Sequence, residues 1–288
     1  GGVKELVGEL ERCVGMRRTF GWPLEKLSVL DEEQHLPFIL RTAEHMYKTN
    51  TLKAEGVFRK APSKESVNRL QRLLDTPYPK VNLKNETKND IHVLPEVLKI
   101  WLRTLPEPLI TWKLRESVLD CVKEKMVEKK EQTGSTSKVA AFSFELSDSD
   151  SESESDCEAS DSESTTGDHD CHHHHTHNNE FFHLKRLLLQ LPQRNFQVLK
   201  YLVGFLNAIV TFEPFNKMNL ENVAIIFGPL ILGPKEKKGK KGRMGMSLPD
   251  VSGPGSVTSL LLKNTEFILG QECTAEGWVK LYIEDKAK

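Results

Sequence analysis

The chain is predicted to be all-α, a single helical bundle domain, on three observations. Apolar residues recur at three- and four-residue spacing through most of its length, no run alternates apolar with polar residues, and two low-complexity segments interrupt the helical pattern. With 288 residues, 38% of them hydrophobic and 28% charged, the composition excludes a fibrous or wholly disordered protein. Without the two segments about 200 residues remain, the size of one domain rather than two.

The elements follow in chain order. An N-terminal extension over 1–19 carries an amphipathic run from Val3 to Val14, and a second helix is expected over Pro37 to Lys48. Ser63 is an N-cap candidate before a stripe of Val67, Leu70 and Leu74. After Asp90 the stripe is Val93, Val97, Ile100 and Trp101, and Pro106 ends it. A helix over Lys113 to Lys129 leads into the first low-complexity segment. Beyond it, Phe181, Leu184, Leu188 and Leu191 mark a short helix. Pro192 opens a longer one, with Phe196, Leu199, Leu202, Phe205, Leu206 and Ile209 spread over a face wide enough to be buried on more than one side, so it is expected at the centre of the bundle. Helices over Leu220 to Phe227 and Val257 to Leu269 complete the set.

The first low-complexity segment, 129–179, contains SDSDSESESD (Ser147 to Asp156) and ends in a His-rich tract; the second, 233–255, contains KEKKGKKGR (Lys235 to Arg243) among Gly and Pro. Both read as disordered insertions, because few apolar residues and strong like charge cannot offset chain entropy by burial. Net charge is −1, but Glu145 to Asp170 holds 11 acids and no Lys or Arg, which leaves +10 on the rest. The folded part is therefore basic and favours an acidic partner surface. Five scattered cysteines (Cys13, Cys121, Cys157, Cys171, Cys273), with no CxxC pair, fit neither a disulfide framework nor a structural zinc site and point to a reducing compartment. The longest strongly apolar stretch, Tyr201 to Phe212, is too short to span a bilayer of about 30 Å. The chain opens at Gly1 without an initiator Met, as an excised fragment would.

Several segments, in order, resemble the signature of the Rho GTPase-activating domain (RhoGAP) family. TFGWPLEKL (Thr19 to Leu27) with LPFIL from Leu36 is similar to the family opening, and EGVFRK (Glu55 to Lys60) to its arginine-finger segment. VLKIWLRTLPEPLI (Val97 to Ile110), LPQRN (Leu191 to Asn195) and NKMNLENVAIIFGPLIL (Asn216 to Leu232) follow at compatible spacing, and the likeness runs from about Phe20 to Leu269.

The resemblance implies an all-helical domain over 20–288, interrupted by the two insertions, that docks on a Rho-family small G protein and accelerates hydrolysis of its GTP. By motif position Arg59 is the catalytic finger, supplied in trans; the plain alternative is an Arg that snorkels at a helix end. Lys99 and Arg103, four apart on one helix face, match two basic positions of which the first faces the G protein and the second braces the finger loop; without the family they read as solvated partners of Glu96 or Glu107. Asn222 matches a polar residue that faces the G protein, and otherwise reads as a surface or capping amide. Two departures stand out: Ala61 and Pro62 follow the finger where the family has a small residue and Gly, and Leu230 replaces a residue that is commonly polar. They keep open a catalytically weak or inactive scaffold module.

No GxxxxGK, HExxH or GxSxG occurs, so no independent reaction is expected; the GTP and Mg²⁺ would belong to the partner, with no cofactor and no metal of the chain's own. The acidic Ser tract reads as a substrate for an acidophilic kinase, as a solvating spacer, or as a cover for the basic surface. His169, His172 to His175 and His177 could take up a divalent ion adventitiously, and the Lys235 run could meet anionic membrane or serve solubility. No nucleic-acid partner is expected, and the expected location is cytoplasmic, with possible recruitment to membranes. A regulator of basic partners acting through the acidic tract is a further reading.

Overall fold

The computed structural model describes residues 19–27, 38–75, 81–88, 90–132, 176–234 and 252–284, and among them every regular element is helical. The labelled helices are α1 (Arg41–Lys48), α2 (Lys64–Leu74), α3 (Val93–Thr104), α4 (Trp112–Gln132), α5 (Thr176–Leu188), α6 (Gln193–Val210), α7 (Leu220–Leu232), α8 (Ser252–Lys263), α9 (Thr265–Leu269) and α10 (Ala275–Val279). Single turns at Leu83–Glu86 and Glu213–Asn216 lie between them. The expected helix over Val3 to Val14, most of the acidic insertion and most of the basic loop lie outside the described residues.

The periodic stripes become core faces. α2 buries Val67, Leu70 and Leu74, and α3 buries Val93, Val97 and Trp101. α6 is buried from Val198 to Ile209 on most of its circumference and packs against α7, α8 and α10, as its wide apolar face predicts. Ser63 stands at the N-cap of α2, but its side chain accepts nothing from the helix; its backbone N–H goes to Asp90 Oδ2 at 3.3 Å.

Three boundaries differ from the sequence reading. α7 runs through Pro229 to Leu232 instead of ending at Phe227. An interior proline costs about 3 kcal/mol, whereas Ile231 and Leu232 are fully buried at about 1.5–3 kcal/mol each, so burial wins. Their carbonyls are also taken, by the Ile110 N–H at 3.0 Å and by Arg115 Nε at 3.2 Å. α8 starts at Ser252, so residues 252–255, assigned to the flexible loop, are helical. Pro254 lies in the first turn, where no backbone donor is needed, and its carbonyl sits where a Cβ on Gly228 would come within 2.6 Å. That absent Cβ lets α7 and α8 approach closely. The acidic insertion is also narrower than expected, since α4 continues to Gln132 and α5 begins at Thr176. Glu128 to Gln132 (EKKEQ) are good helix formers, and extending an existing helix is easier than nucleating one.

The C-terminal α10 has no counterpart among the predicted helices, yet it supplies the fully buried Trp278. Its ring meets Tyr201, Phe205 and Tyr47 at centroid distances of 5.6, 5.5 and 5.9 Å. A Cβ on Gly204 would stand 2.8 Å from that ring, so the glycine in mid-α6 makes the slot Trp278 fills. Burial pushes the Tyr201 phenol well above its ordinary range, and the hydroxyl donates to the Leu40 carbonyl at 2.9 Å.

Candidate functional site

The Arg59 loop is shaped by its backbone. Gly56 has φ of 73°, and its N–H donates to the Asn216 carbonyl at 3.0 Å. The N–H groups of Arg59 and Lys60 both return to the Gly56 carbonyl, at 2.9 and 2.8 Å. Between them Phe58 has φ of 65°, a left-handed conformation that costs a bulky residue about 1–3 kcal/mol. Its ring offsets that: it is almost wholly buried, 5.1 Å from the Phe227 ring of α7 and 6.2 Å from the Phe205 ring of α6. Val57 and Phe58 therefore turn into the core, while Arg59 and Lys60 are exposed.

Lys99 fastens the loop from α3. Its Nζ donates to the Phe58 carbonyl at 2.8 Å and pairs with Glu96 at 2.7 Å. The carbonyl of the strained residue is thus held by a charge-assisted bond, worth about 1.5–3 kcal/mol. Lys99 thus reaches the loop backbone, while Arg103, one turn on, is exposed and makes no hydrogen bond or ion pair among the described residues.

Asn222 lies in the first turn of α7. The Asn219 side chain caps this helix, accepting the Asn222 N–H at 2.8 Å, so Asn222 is not itself the cap. Its own Nδ2 reaches the Lys217 carbonyl only at 3.5 Å, which leaves the amide facing solvent. α3 and α7 pack against each other, and the Arg59 loop is tied to both, so the four residues picked out from the sequence sit on elements of one assembly.

The sequence reading assigned no role to Asn216, which knits this assembly together. Fully buried, it donates through Nδ2 to the Leu52 and Ile209 carbonyls at 2.8 and 2.9 Å and accepts the Met218 N–H at 2.7 Å. Its position inside the NKMNLENV motif was the only signal available, since a buried asparagine and a surface one look alike in sequence. Two exposed apolar residues were also passed over: Phe215, 61% exposed, and Ile225, 52% exposed and three residues past Asn222 on α7. Leu230, by contrast, is buried, so its departure from the family pattern falls in packing.

The remaining motifs act as clasps. Asn195 of LPQRN donates to the Leu109 carbonyl at 3.1 Å and so holds LPEPL, while Arg194 donates to the Leu24 carbonyl of the TFGWPLEKL segment. Asp75 at the end of α2 accepts the N–H groups of Thr19 at 2.6 Å and Phe20 at 3.2 Å. Near the loop, burial pushes the His92 imidazole down from its ordinary value; Asp90 opposes this and the Lys60 charge adds to it. Among the described residues no group of three or more His, Cys, Asp or Glu could hold a metal ion, and no helix is long and apolar enough to cross a membrane.

The RhoGAP domain model matches residues 37–149 and 163–236. The chain is 28% identical over 217 residues to Rho GTPase-activating protein 8 of Mus musculus, covering 75% of this chain and 38% of that protein. It is 28% identical over 209 residues to Rho GTPase-activating protein 29 of Rattus norvegicus, covering 71% of this chain and 14% of that protein. The chain therefore spans well under half the length of these relatives. Among solved structures, human Rho GTPase activating protein 15 superposes with a TM-score of 0.60 at 21% identity, covering 90% of this chain and 96% of that one. The BH domain of GRAF, the GTPase regulator associated with focal adhesion kinase, gives 0.53 at 19% identity, with 84% and 97% covered. These two likenesses show the all-helical fold, and with the family model matching well over half of its residues, the chain belongs to the RhoGAP domain family.

Proposed function

We propose that this domain docks on a Rho-family small G protein and accelerates hydrolysis of the bound GTP by inserting Arg59. The observation that carries this reading is the Arg59 loop itself: a strained backbone, locked by a buried ring and a lysine, that points a guanidinium into solvent. A side chain that merely snorkels needs no such frame. Phosphoryl transfer redistributes negative charge over the phosphate oxygens, and a positioned guanidinium meets that charge in a planar, two-pronged way while remaining protonated.

In this reading the nucleotide, its Mg²⁺ and the attacking water belong to the G protein. This chain supplies Arg59, holds its backbone through Lys99 and Asn216, and presents Arg103 and Asn222 to the partner beside it. It is an activator rather than a hydrolase, and with such a partner it works in the cytoplasm. The acidic Ser tract and the Lys235 to Arg243 run, proposed as kinase and membrane contacts, lie outside the described residues.

The test is single-turnover GTP hydrolysis by Rho-, Rac- and Cdc-type proteins with wild-type domain and with Arg59→Ala. The expected result is stimulation by wild type that the substitution lowers roughly 10³-fold or more, with binding retained. Wild type that binds but stimulates none of them would instead support the scaffold reading.

A further inference from the structure

A large aromatic side chain that is mostly exposed and yet held in place calls for explanation, and Phe215 is such a residue. It sits in the Glu213–Asn216 turn at 61% exposure, just before the buried Asn216 whose carbonyl accepts the Gly56 N–H of the Arg59 loop. Lys217, left-handed with φ of 59°, ends the turn, its N–H on the Glu213 carbonyl and its Nζ on the Pro214 carbonyl, both at 2.9 Å. Lys53 closes the other side, its ammonium 6.0 Å from the Phe215 ring centroid and 5.6 Å from that of Phe212. Phe215 is thus presented on a hydrogen-bonded turn with the Lys53 ammonium against its ring and Lys217 two residues on. The turn is tied to Gly56 of the Arg59 loop through the Asn216 carbonyl and to Asn222 through the Lys217 carbonyl.

We infer that Phe215 is an apolar anchor for the G protein, with Lys53 against its ring and Lys217 in the same turn, that helps select among Rho-family partners. The inference rests on the proposed function and deepens it. The hydrogen bond from the Gly56 N–H to the Asn216 carbonyl sets this turn beside the Arg59 loop, so the occupant we assign to it is the same G protein that places its nucleotide at Arg59. Charge complementarity gives its chemistry, an apolar spot flanked by acidic side chains that meet the two lysines. An aromatic ring loses little conformational freedom on docking, and rings inside a polar rim dominate interface energetics. Phe215 touches no reacting atom, so it adds affinity and leaves the chemical step unchanged.

The experiment titrates wild type, Phe215→Ala and Phe215→Tyr against Rho-, Rac- and Cdc-type proteins loaded with a non-hydrolysable GTP analogue, alongside single-turnover hydrolysis at increasing domain concentration. Phe215→Ala is expected to weaken binding about tenfold for the preferred G protein and less for the others, with the saturated rate within about twofold of wild type. Phe215→Tyr, which keeps the ring, should stay within about threefold. Unchanged binding for every G protein that wild type binds overturns the anchor, as does a lowered saturated rate at unchanged affinity. If wild type binds without stimulating and Phe215→Ala weakens that binding, the anchor stands and the activating role falls; if wild type binds none, both fall.

Discussion

The Arg59 loop and the C-terminal end of the bundle each rest on an aromatic side chain driven into the core, and they use it differently. At the C-terminal end Trp278 fills a slot left by Gly204, in ordinary helical backbone. At the loop Phe58 is forced into the left-handed region, and the residue after it is a solvent-facing arginine. One ring holds helices together. The other holds a left-handed backbone in place beside an arginine that faces solvent.

That contrast can be broken or sharpened by substitution. The largest effect belongs to Arg59→Ala, roughly 10³-fold or more in the saturated rate with the melting temperature unchanged; a thermal shift of several degrees would mean that the side chain is structural after all. Trp278→Ala should remove about 3–5 kcal/mol of stability, read by urea unfolding, while the protein that remains folded keeps its saturated rate within about twofold. A lost rate in that folded fraction would couple the two regions. Lys99→Met keeps the apolar stem but abandons the Phe58 carbonyl, so it should fall between the two: about 1.5–3 kcal/mol in stability together with a roughly 10–100-fold lower saturated rate. The smallest effect is in pH. Burial lowers the pKa of both His45 and His92 below the unfolded value, so the unfolded chain takes up protons first as pH falls. Their contribution is complete above about pH 6.5 and fades below it, and a melting-temperature profile from pH 7.5 to 5.5 should flatten in the double variant His45→Gln/His92→Gln.

Much of this architecture was legible in the sequence where burial is periodic. The stripes of α2, α3 and α6 reported their own buried faces, and the breadth of the α6 stripe reported its central position. Legibility failed where long-range packing overrides local punctuation. Pro229 and the Gly253 to Gly255 run read as breaks, yet the closeness of α7 and α8 at Gly228 makes both helical. α10 is too short to show a period, and its single decisive residue, Trp278, is indistinguishable in sequence from a surface tryptophan. At the site, the resemblance gave Lys99 to the G protein and Arg103 to the finger loop, but their spacing alone does not say which of them reaches the loop. That depends on where the Phe58 carbonyl points, and so on a dihedral angle no side-chain pattern encodes.

Phe58 also constrains how this surface can change over generations of mutation. Replacement by glycine would accept the left-handed backbone easily but leave an empty space beside Phe205 and Phe227; any smaller L-residue would keep the strain and lose the contacts that offset it. Tyrosine would bring a hydroxyl into an aromatic neighbourhood. Position 58 thus answers to two demands at once, a left-handed backbone and a filled core, whereas Arg59 and Lys60 beside it face solvent and answer to neither.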